Sequence, residues 1–484
     1  MPKGVKQKIM IKIKLNDEAY RYDVYHMFNL FYNFTNIDFV DKDYDYEVDI
    51  IKNKLSIKGK DEKFRNFKIN NEVNIKEQVR ESVFRYLKDR TGKELPWGIL
   101  IGIRPTKIAL DMMDRGLSED EIIKFFKNKR FVREDKAKLC IDVAKVEKEK
   151  VNKDSKTISI YIGMPFCPTR CLYCSFASNP IRSCRNLVTP YLEALSYEIE
   201  EIKKFIEIKG LNIECVYFGG GTPTAINDEE FRSILCKIYE SFVKGRAVKE
   251  FNVECGRPDS ITEGKLKSMK EFNVNRISIN PQTMNDDTLK AIGRNHTVQD
   301  IIDKFNLARE LGFENINMDI IVGLPNEGLR HIEKTCSEIL KLNPDSITVH
   351  GMSLKRASIL HEQIFNKKLE MKQQDELIQM YEETAELAKR LDMKPYYMYR
   401  QKNMVGNMEN VGYCKPNKEG LYNIEMIEDK QTIIALGADA VTKAVFLETN
   451  KIERFGNLKD VKEYINRIKE KVEGKIRFLE ALYE

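Results

Sequence analysis

From position 157 to about position 350 the chain repeats one pattern: a short apolar run, a turn, then an amphipathic stretch. The apolar runs fall at 157–162, 213–218, 251–254, 276–279, 316–322 and 346–350. The amphipathic stretches fall between them, at 187–208, 228–242, 263–272, 298–311 and 329–340. Strands alternating with helices predict βα units and a parallel sheet, an α/β fold. Six such units fall short of the eight that close a barrel, so an open sheet and a partial barrel both fit. In either, residues that do chemistry belong at the carboxyl ends of the strands.

The flanks read differently, and together with the βα region they divide the 484 residues into 1–153, 154–365 and 366–484. The first segment opens as a mixed α/β unit, with strands at 8–15, 46–51 and 54–58 and a helix near 18–34. Helical patterns follow at 77–87, 107–115, from 118, and at 133–150. The stretch 96–106 interrupts them with two Gly, two Pro and the one Trp of the sequence. The last segment is read as mainly helical, at 373–391 and 460–483, around a polar, glycine-containing stretch at 396–413 and an apolar run at 432–445.

Three of the ten cysteines fall in the eight-residue window 167–174, within Tyr161-Ile-Gly-Met-Pro-Phe-Cys-Pro-Thr-Arg-Cys-Leu-Tyr-Cys174, directly after the first strand of the βα region. Thiolates at Cys167, Cys171 and Cys174 can ligate three irons of a cubane cluster and leave the fourth open to a second molecule. Structural zinc wants a fourth ligand, which Cys184 could supply, although zinc sites usually pair their ligands as C-x2-C with a second pair at a distance. The other cysteines (Cys140, Cys184, Cys215, Cys236, Cys255, Cys336 and Cys414) stand alone and read as small core residues.

Composition narrows the function class. The 81 basic and 75 acidic side chains are intermixed, which describes solvated helix faces and not a nucleic-acid stripe. The resulting net charge of +6 suits an acidic substrate. No run approaches the roughly 18 apolar residues of a membrane span, and the alternating pattern at 9–15 is unlike a signal peptide. The expectation is a cytoplasmic protein with reduced thiols.

Strand ends supply the next observations. The second strand runs into Gly219-Gly-Gly-Thr-Pro-Thr224, whose glycines let backbone approach a ligand. The third ends in Glu254, the fourth in Asn280-Pro-Gln282 with Arg294 following, and the fifth carries Asp319 and ends Gly323-Leu-Pro325. With the three-cysteine loop, these residues resemble the radical S-adenosylmethionine superfamily, and within it the oxygen-independent coproporphyrinogen III oxidases and their relatives. The flanking stretches Gly98-Ile-Leu-Ile-Gly-Ile-Arg-Pro-Thr-Lys107 and 400–413 are similar to the HemZ-type, or coproporphyrinogen dehydrogenase, branch.

That resemblance implies a partial (β/α)6 TIM-like barrel that holds a [4Fe–4S] cluster on Cys167, Cys171 and Cys174 and binds S-adenosyl-L-methionine on the open iron. It implies that Tyr161 contacts this cosubstrate, that Tyr173 packs near its adenine, and that Gly220, Gly221 and Thr222 line its methionyl part. Arg294 would pair with its carboxylate, Gln282 and Asp319 with its ribose, and Glu254 would sit beside the same ligand. The implied substrate is a tetrapyrrole with four carboxylates, for which Arg104, Lys107, Arg400 and Lys402 are candidate cations. The implied electron donor is of the flavodoxin or ferredoxin type.

Two positions depart from the oxidases: Gly163 stands where they carry His, and Ser175 where they carry a fourth Cys. The rival functions are a haem chaperone, which would want an axial His or Cys, although none of His26, His296, His331, His350 and His361 sits in a recognisable haem motif, and a radical enzyme acting on RNA, which would bring a basic module that the sequence lacks.

Overall fold

The computed structural model describes all residues except 1–9, 33–35, 71, 73, 103, 175–177, 353–373, 402–403 and 484. The chain forms two compact units, one of residues 1–141 with 400–408 and one of 142–399 with 409–484.

The smaller unit is built on strands β1 (Met10–Leu15), β2 (Asn36–Phe39), β3 (Tyr46–Ile51), β4 (Lys54–Gly59) and β5 (Arg65–Lys68), in the order β2-β1-β3-β4-β5. β1 is parallel to both neighbours, while β3, β4 and β5 form an antiparallel meander. Helices Arg21–Phe31 and Ile75–Thr91 bury Phe28, Phe31, Val83, Phe84 and Leu87 in one core with Ile11, Ile13, Val48, Leu55 and Ile57. Helix Ile75–Thr91 starts where Asn74 accepts the Glu77 N–H and stops at left-handed Gly92.

In the larger unit the six βα strands are β6 (Thr157–Met164), β9 (Asn212–Gly220), β10 (Glu250–Glu254), β11 (Arg276–Ser278), β12 (Ile316–Val322) and β13 (Ser346–Gly351). Two-residue strands β7 (Phe166–Cys167) and β8 (Asn179–Pro180) pair with each other after β6. The six strands are parallel and lie side by side in the order β13-β12-β11-β10-β9-β6. The fold is thus the expected α/β one.

The segment 366–484 contributes the expected helices and also five strands of this sheet. These are β14 (Lys394–Tyr399), β15 (Asn410–Cys414), β16 (Thr432–Leu436), β17 (Val441–Phe446) and β18 (Lys451–Gly456). β15 and β14 extend the β13 edge antiparallel, and β16 joins β6 in parallel before β17 and β18 turn back.

Alternation along the strands gives the sheet two unlike faces. Ile158, Ile160 and Ile162 of β6, with Val216, Phe218, Phe251, Val253, Ile277, Met318, Ile320, Ile347 and Val349, are buried on one face. The register sets Ser159, Tyr161 and Gly163 beside Cys215, Tyr217 and Gly219 on the other, continued by Asn252, Glu254, Ser278, Asn317, Asp319 and Thr348. Apolar stripes of the amphipathic helices cover the first face. Helix Val188–Lys209 buries Tyr191, Leu195, Ile199, Ile202 and Ile206 and stops at left-handed Gly210.

One buried pair ties the C-terminal residues to the start of the site. Lys475, on helix Ile468–Tyr483, donates to Glu198 at 2.6 Å, and neither side chain is exposed. Glu198 also accepts from Tyr464 Oη at 2.7 Å, Asn457 Nδ2 at 2.9 Å and Gly437 N at 2.8 Å. At Gly437 (φ 97°) a Cβ would collide with the Gly163 carbonyl and with Tyr191, whose hydroxyl donates to that carbonyl at 2.5 Å.

Candidate active site

The chain leaves β6 at Met164 and enters the three-cysteine loop, which the β7–β8 ladder closes: Phe166 faces Asn179 and Cys167 faces Pro180. Inside the loop Cys174 N donates to Cys171 O at 3.1 Å. Leu172 N reaches Ile292 O at 3.0 Å, and Thr169 Oγ1 reaches Gly293 O at 3.0 Å. Cys167 is buried, while Cys171 and Cys174 are half-buried, as is Tyr173 between them.

The glycine run after β9 packs directly on this loop. Gly221 N donates to Met164 O at 2.6 Å and Thr222 N to Phe166 O at 2.8 Å. A Cβ at Gly221 would lie 2.8 Å from Cys167 Sγ and 2.7 Å from Phe166 O, so any other residue would push on a thiol. Gly220 takes φ 101°, which suits glycine alone. Thr222 is buried, and its hydroxyl faces Cys167 Sγ at 3.6 Å.

The remaining expected residues cluster at the same strand ends. Glu254 closes β10, and Tyr217 Oη donates to its Oε2 at 3.1 Å. Burial, reinforced by the charge of Asp319, pushes the Glu254 carboxyl up to about 7. Gln282 (φ 66°) bridges to β12: its N donates to Asp319 O and its O accepts from Ile321 N, both at 2.9 Å. Asp319 accepts from Asn317 Nδ2 at 2.7 Å. Tyr161 stacks against Tyr217 and Tyr422 with ring centroids 5.9 and 6.3 Å away.

Arg294 is buried and donates to backbone carbonyls, through Nη1 to Asn280 and Pro281 and through Nη2 to Gly256. A bidentate fork onto a carboxylate, as the resemblance implies, would require its Nη groups to leave these carbonyls.

The donor set can be tested against the cluster and cosubstrate. Among the described residues, no three His, Cys, Asp or Glu side chains already close on one ion position. Burial pushes the Cys167 thiol up to about 12, and a thiolate is the form that ligates metal. The buried Gln282 Oε1 and Arg294 Nε have no hydrogen-bond partner among the described residues, as expected of groups waiting for a polar ligand. The residues fit the cluster and cosubstrate.

The four candidate substrate cations belong to the smaller unit. Arg400 is buried, lies over the Trp97 ring at 4.6 Å, and donates to Leu100 O at 3.0 Å and Asn407 O at 2.7 Å. Arg104 stands at the N-cap position of helix Pro105–Asp114 and Lys107 is exposed in its first turn, while Lys402 and Ser175 lie outside the described residues.

Sequence reasoning missed Arg257, whose guanidinium lies 3.4 Å from Cys171 Sγ. Its place three residues past the end of β10 was the available signal. The imidazole of His350, weighed in the sequence only as a haem ligand, stands 3.6 Å from Asp319 and 3.4 Å from the Tyr399 hydroxyl. Tyr422 comes from helix Leu421–Glu428, and nothing local in the sequence points to it.

Residues 161–339 match the radical SAM superfamily. The chain is 40% identical over 414 residues to the oxygen-independent coproporphyrinogen-III oxidase-like protein HemZ of Bacillus subtilis, covering 85% of this chain and 82% of that protein. It is 34% identical over 224 residues to the heme chaperone HemW of the same organism, covering 46% of this chain and 58% of the chaperone. The solved coproporphyrinogen III oxidase HemN of Escherichia coli superposes with a TM-score of 0.53 at 20% identity over 68% of this chain and 73% of that one, a likeness of fold. Radical SAM proteins use a [4Fe–4S] cluster and S-adenosylmethionine, and the donor set above fits both. The chain belongs to the radical SAM superfamily, and within it to the family of the oxygen-independent coproporphyrinogen-III oxidase-like proteins.

Proposed function

We propose that this chain catalyses the oxygen-independent oxidative decarboxylation of coproporphyrinogen III, converting two propionate side chains to vinyl groups and yielding protoporphyrinogen IX. The observation that carries the reading is the convergence of Cys167, Cys171 and Cys174 with Gly220, Gly221, Thr222, Glu254, Gln282 and Asp319 at one end of one sheet, in a chain so similar to a coproporphyrinogen-III oxidase-like protein.

Cys167, Cys171 and Cys174 would hold the cluster, which when bound would supply the one-electron chemistry that cleaves S-adenosylmethionine and opens the way to hydrogen abstraction from the substrate. Gly220 and Gly221 leave backbone room for the methionyl part. Arg294 would pair with its carboxylate through Nε, Gln282 and Asp319 would hydrogen-bond ribose hydroxyls, and Tyr161 and Tyr173 would supply aromatic faces. Glu254 and Tyr217 complete the polar wall. Each propionate would lose one hydrogen atom to the adenosyl carbon of the cleaved cosubstrate, CO₂, and one electron to a separate one-electron acceptor, while a low-potential flavodoxin or ferredoxin would reduce the cluster.

The test is anaerobic incubation of the reconstituted protein with coproporphyrinogen III, S-adenosylmethionine, dithionite and a one-electron acceptor. Protoporphyrinogen IX and CO₂ should appear together with 5′-deoxyadenosine. A protein with a full cluster that makes 5′-deoxyadenosine and leaves coproporphyrinogen untouched sinks this substrate.

A second reading, haem binding without decarboxylation, is supported by the 34% identity to a heme chaperone. A stoichiometric Soret shift on haem titration, with no protoporphyrinogen product, would favour it.

A further inference from the structure

The buried guanidiniums of Arg276, Arg294 and Arg400 donate to oxygen atoms. Arg257, 3% exposed, also reaches sulfur. One edge of its planar fork is clamped, with Nε donating to Asp259 Oδ1 at 2.9 Å and Nη2 to Asp259 Oδ2 at 2.7 Å. The remaining nitrogen, Nη1, meets Thr169 Oγ1 at 3.0 Å, Thr169 O at 3.5 Å and Cys171 Sγ at 3.4 Å. Behind Asp259 stands His296, with its Nδ1 at 3.5 Å from Oδ1 and its side chain fully buried. Thr222 marks a second contact of the same kind, hydroxyl to Cys167 Sγ at 3.6 Å.

We propose that Arg257 is a positioning residue for the iron–sulfur cluster: its Nη1–H donates to the Cys171 thiolate and its clamped charge raises the potential at which the cluster accepts an electron. The proposal rests on the reading of Cys171 as a cluster ligand. Reduction by one electron from a low-potential donor makes the cluster and its thiolates more negative by one charge. No bond forms or breaks at Arg257, and no proton moves.

A donor hydrogen bond to a ligand sulfur and a nearby cation both favour the more negative state. Burial removes the water that would screen them. Lysine could not serve, because one ammonium cannot hold a carboxylate edge-on and present a fixed N–H to sulfur at the same time.

Asp259 sets the sign of a second effect. Asparagine there keeps an oxygen acceptor for the guanidinium and removes one negative charge from the surroundings of Cys171. The potential should then rise, whereas removal of the guanidinium should lower it.

The experiment is an EPR-monitored redox titration of reconstituted wild type, Arg257→Gln and Asp259→Asn, with iron analysis of each. Arg257→Gln should retain its iron and show about a tenfold lower ratio of reduced to oxidised cluster at fixed potential, which is about 59 mV for a one-electron couple. Asp259→Asn should shift the other way, and both should alter the EPR line shape. Full iron with an unmoved midpoint in Arg257→Gln, or shifts of the same sign in both variants, overturns the proposal. If Arg257→Gln fails to hold iron, Asp259→Asn decides: an upward shift supports the role, and an unchanged or lowered midpoint removes it. Cys171→Ala tests the ligand reading separately, since a variant with its full iron would refute that reading whatever Arg257 does.

Discussion

Arg276 and Arg257 are buried guanidiniums of one sheet, at opposite ends of neighbouring strands, and they are used in opposite ways. Arg276 opens β11 and is enclosed by Asn315 Oδ1 at 2.8 Å, Lys418 O and Ser346 Oγ at 2.9 Å, and Tyr396 Oη at 3.4 Å. It gathers partners from distant parts of the larger unit. Arg257, past the end of β10, is held by Asp259 and the loop residue Thr169, and aims its last nitrogen at a thiol. At the base of the strands a buried charge is spent on cohesion. At the rim it is directed at chemistry, among side chains such as Gln282 and Arg294 that keep an atom in reserve.

This contrast predicts that damage at the rim abolishes function without unfolding, and that damage at the base does the reverse. The largest effect is expected for Cys171→Ala, with iron falling to near background and 5′-deoxyadenosine formation lost, while the apo-protein unfolds within about 1 kcal/mol of wild type. Urea titration of the apo-protein alongside iron analysis checks this. Arg276→Leu should cost about 3–5 kcal/mol in the same titration, because it strands the buried oxygens that the guanidinium satisfies. A loss under 1 kcal/mol would erase the distinction between the two ends.

Gly221→Ala probes the rim by shape alone. Its Cβ would press on Cys167 Sγ, so about 1–3 kcal/mol of overpacking strain should appear together with reduced iron retention. Iron retention equal to wild type would show that the loop gives way freely.

The smallest effect is a pH dependence. Burial holds Glu254 up at about 7, above its unfolded value near 4.5, so the folded state binds more protons between these limits. Stability contributed by Glu254 is full below pH 4.5, falls as pH rises toward 7, and is flat above. Glu254→Gln should remove that part of the slope in a melting-temperature profile, and an unchanged profile would show that the carboxyl is already ionised.

Legibility in the sequence followed the same division. The βα strands and helices were readable because one face of each is apolar at a fixed period, and the structure returns helix Val298–Glu310 and strand β12 almost as expected. β14 and β15 were not readable, because their tyrosines pack on both faces of an antiparallel edge and nine residues of the other unit separate them. The carbonyl contacts of Arg400 were not readable for a related reason: a cation in a glycine-containing stretch carries no mark of whether carbonyls already claim it. The cysteine loop and glycine run were legible because cluster chemistry fixes their spacing, whereas Arg257 acts through a turn whose geometry no local pattern announces.

The buried Glu198–Lys475 contact also sets a schedule for synthesis. β6, which delivers the cysteines, is completed on one side only when β16 pairs with it, and Ser159 meets Gln431, 272 positions further along the chain. Gly437 then packs on Gly163 at the end of β6, and Lys475 holds Glu198, which accepts from Gly437 N. A ribosome therefore finishes this strand's surroundings long after it has made the thiols. Cluster loading accordingly belongs after residue 475 has emerged, and iron–sulfur delivery to nascent chains stalled before β16 should find the thiols present and their scaffold missing.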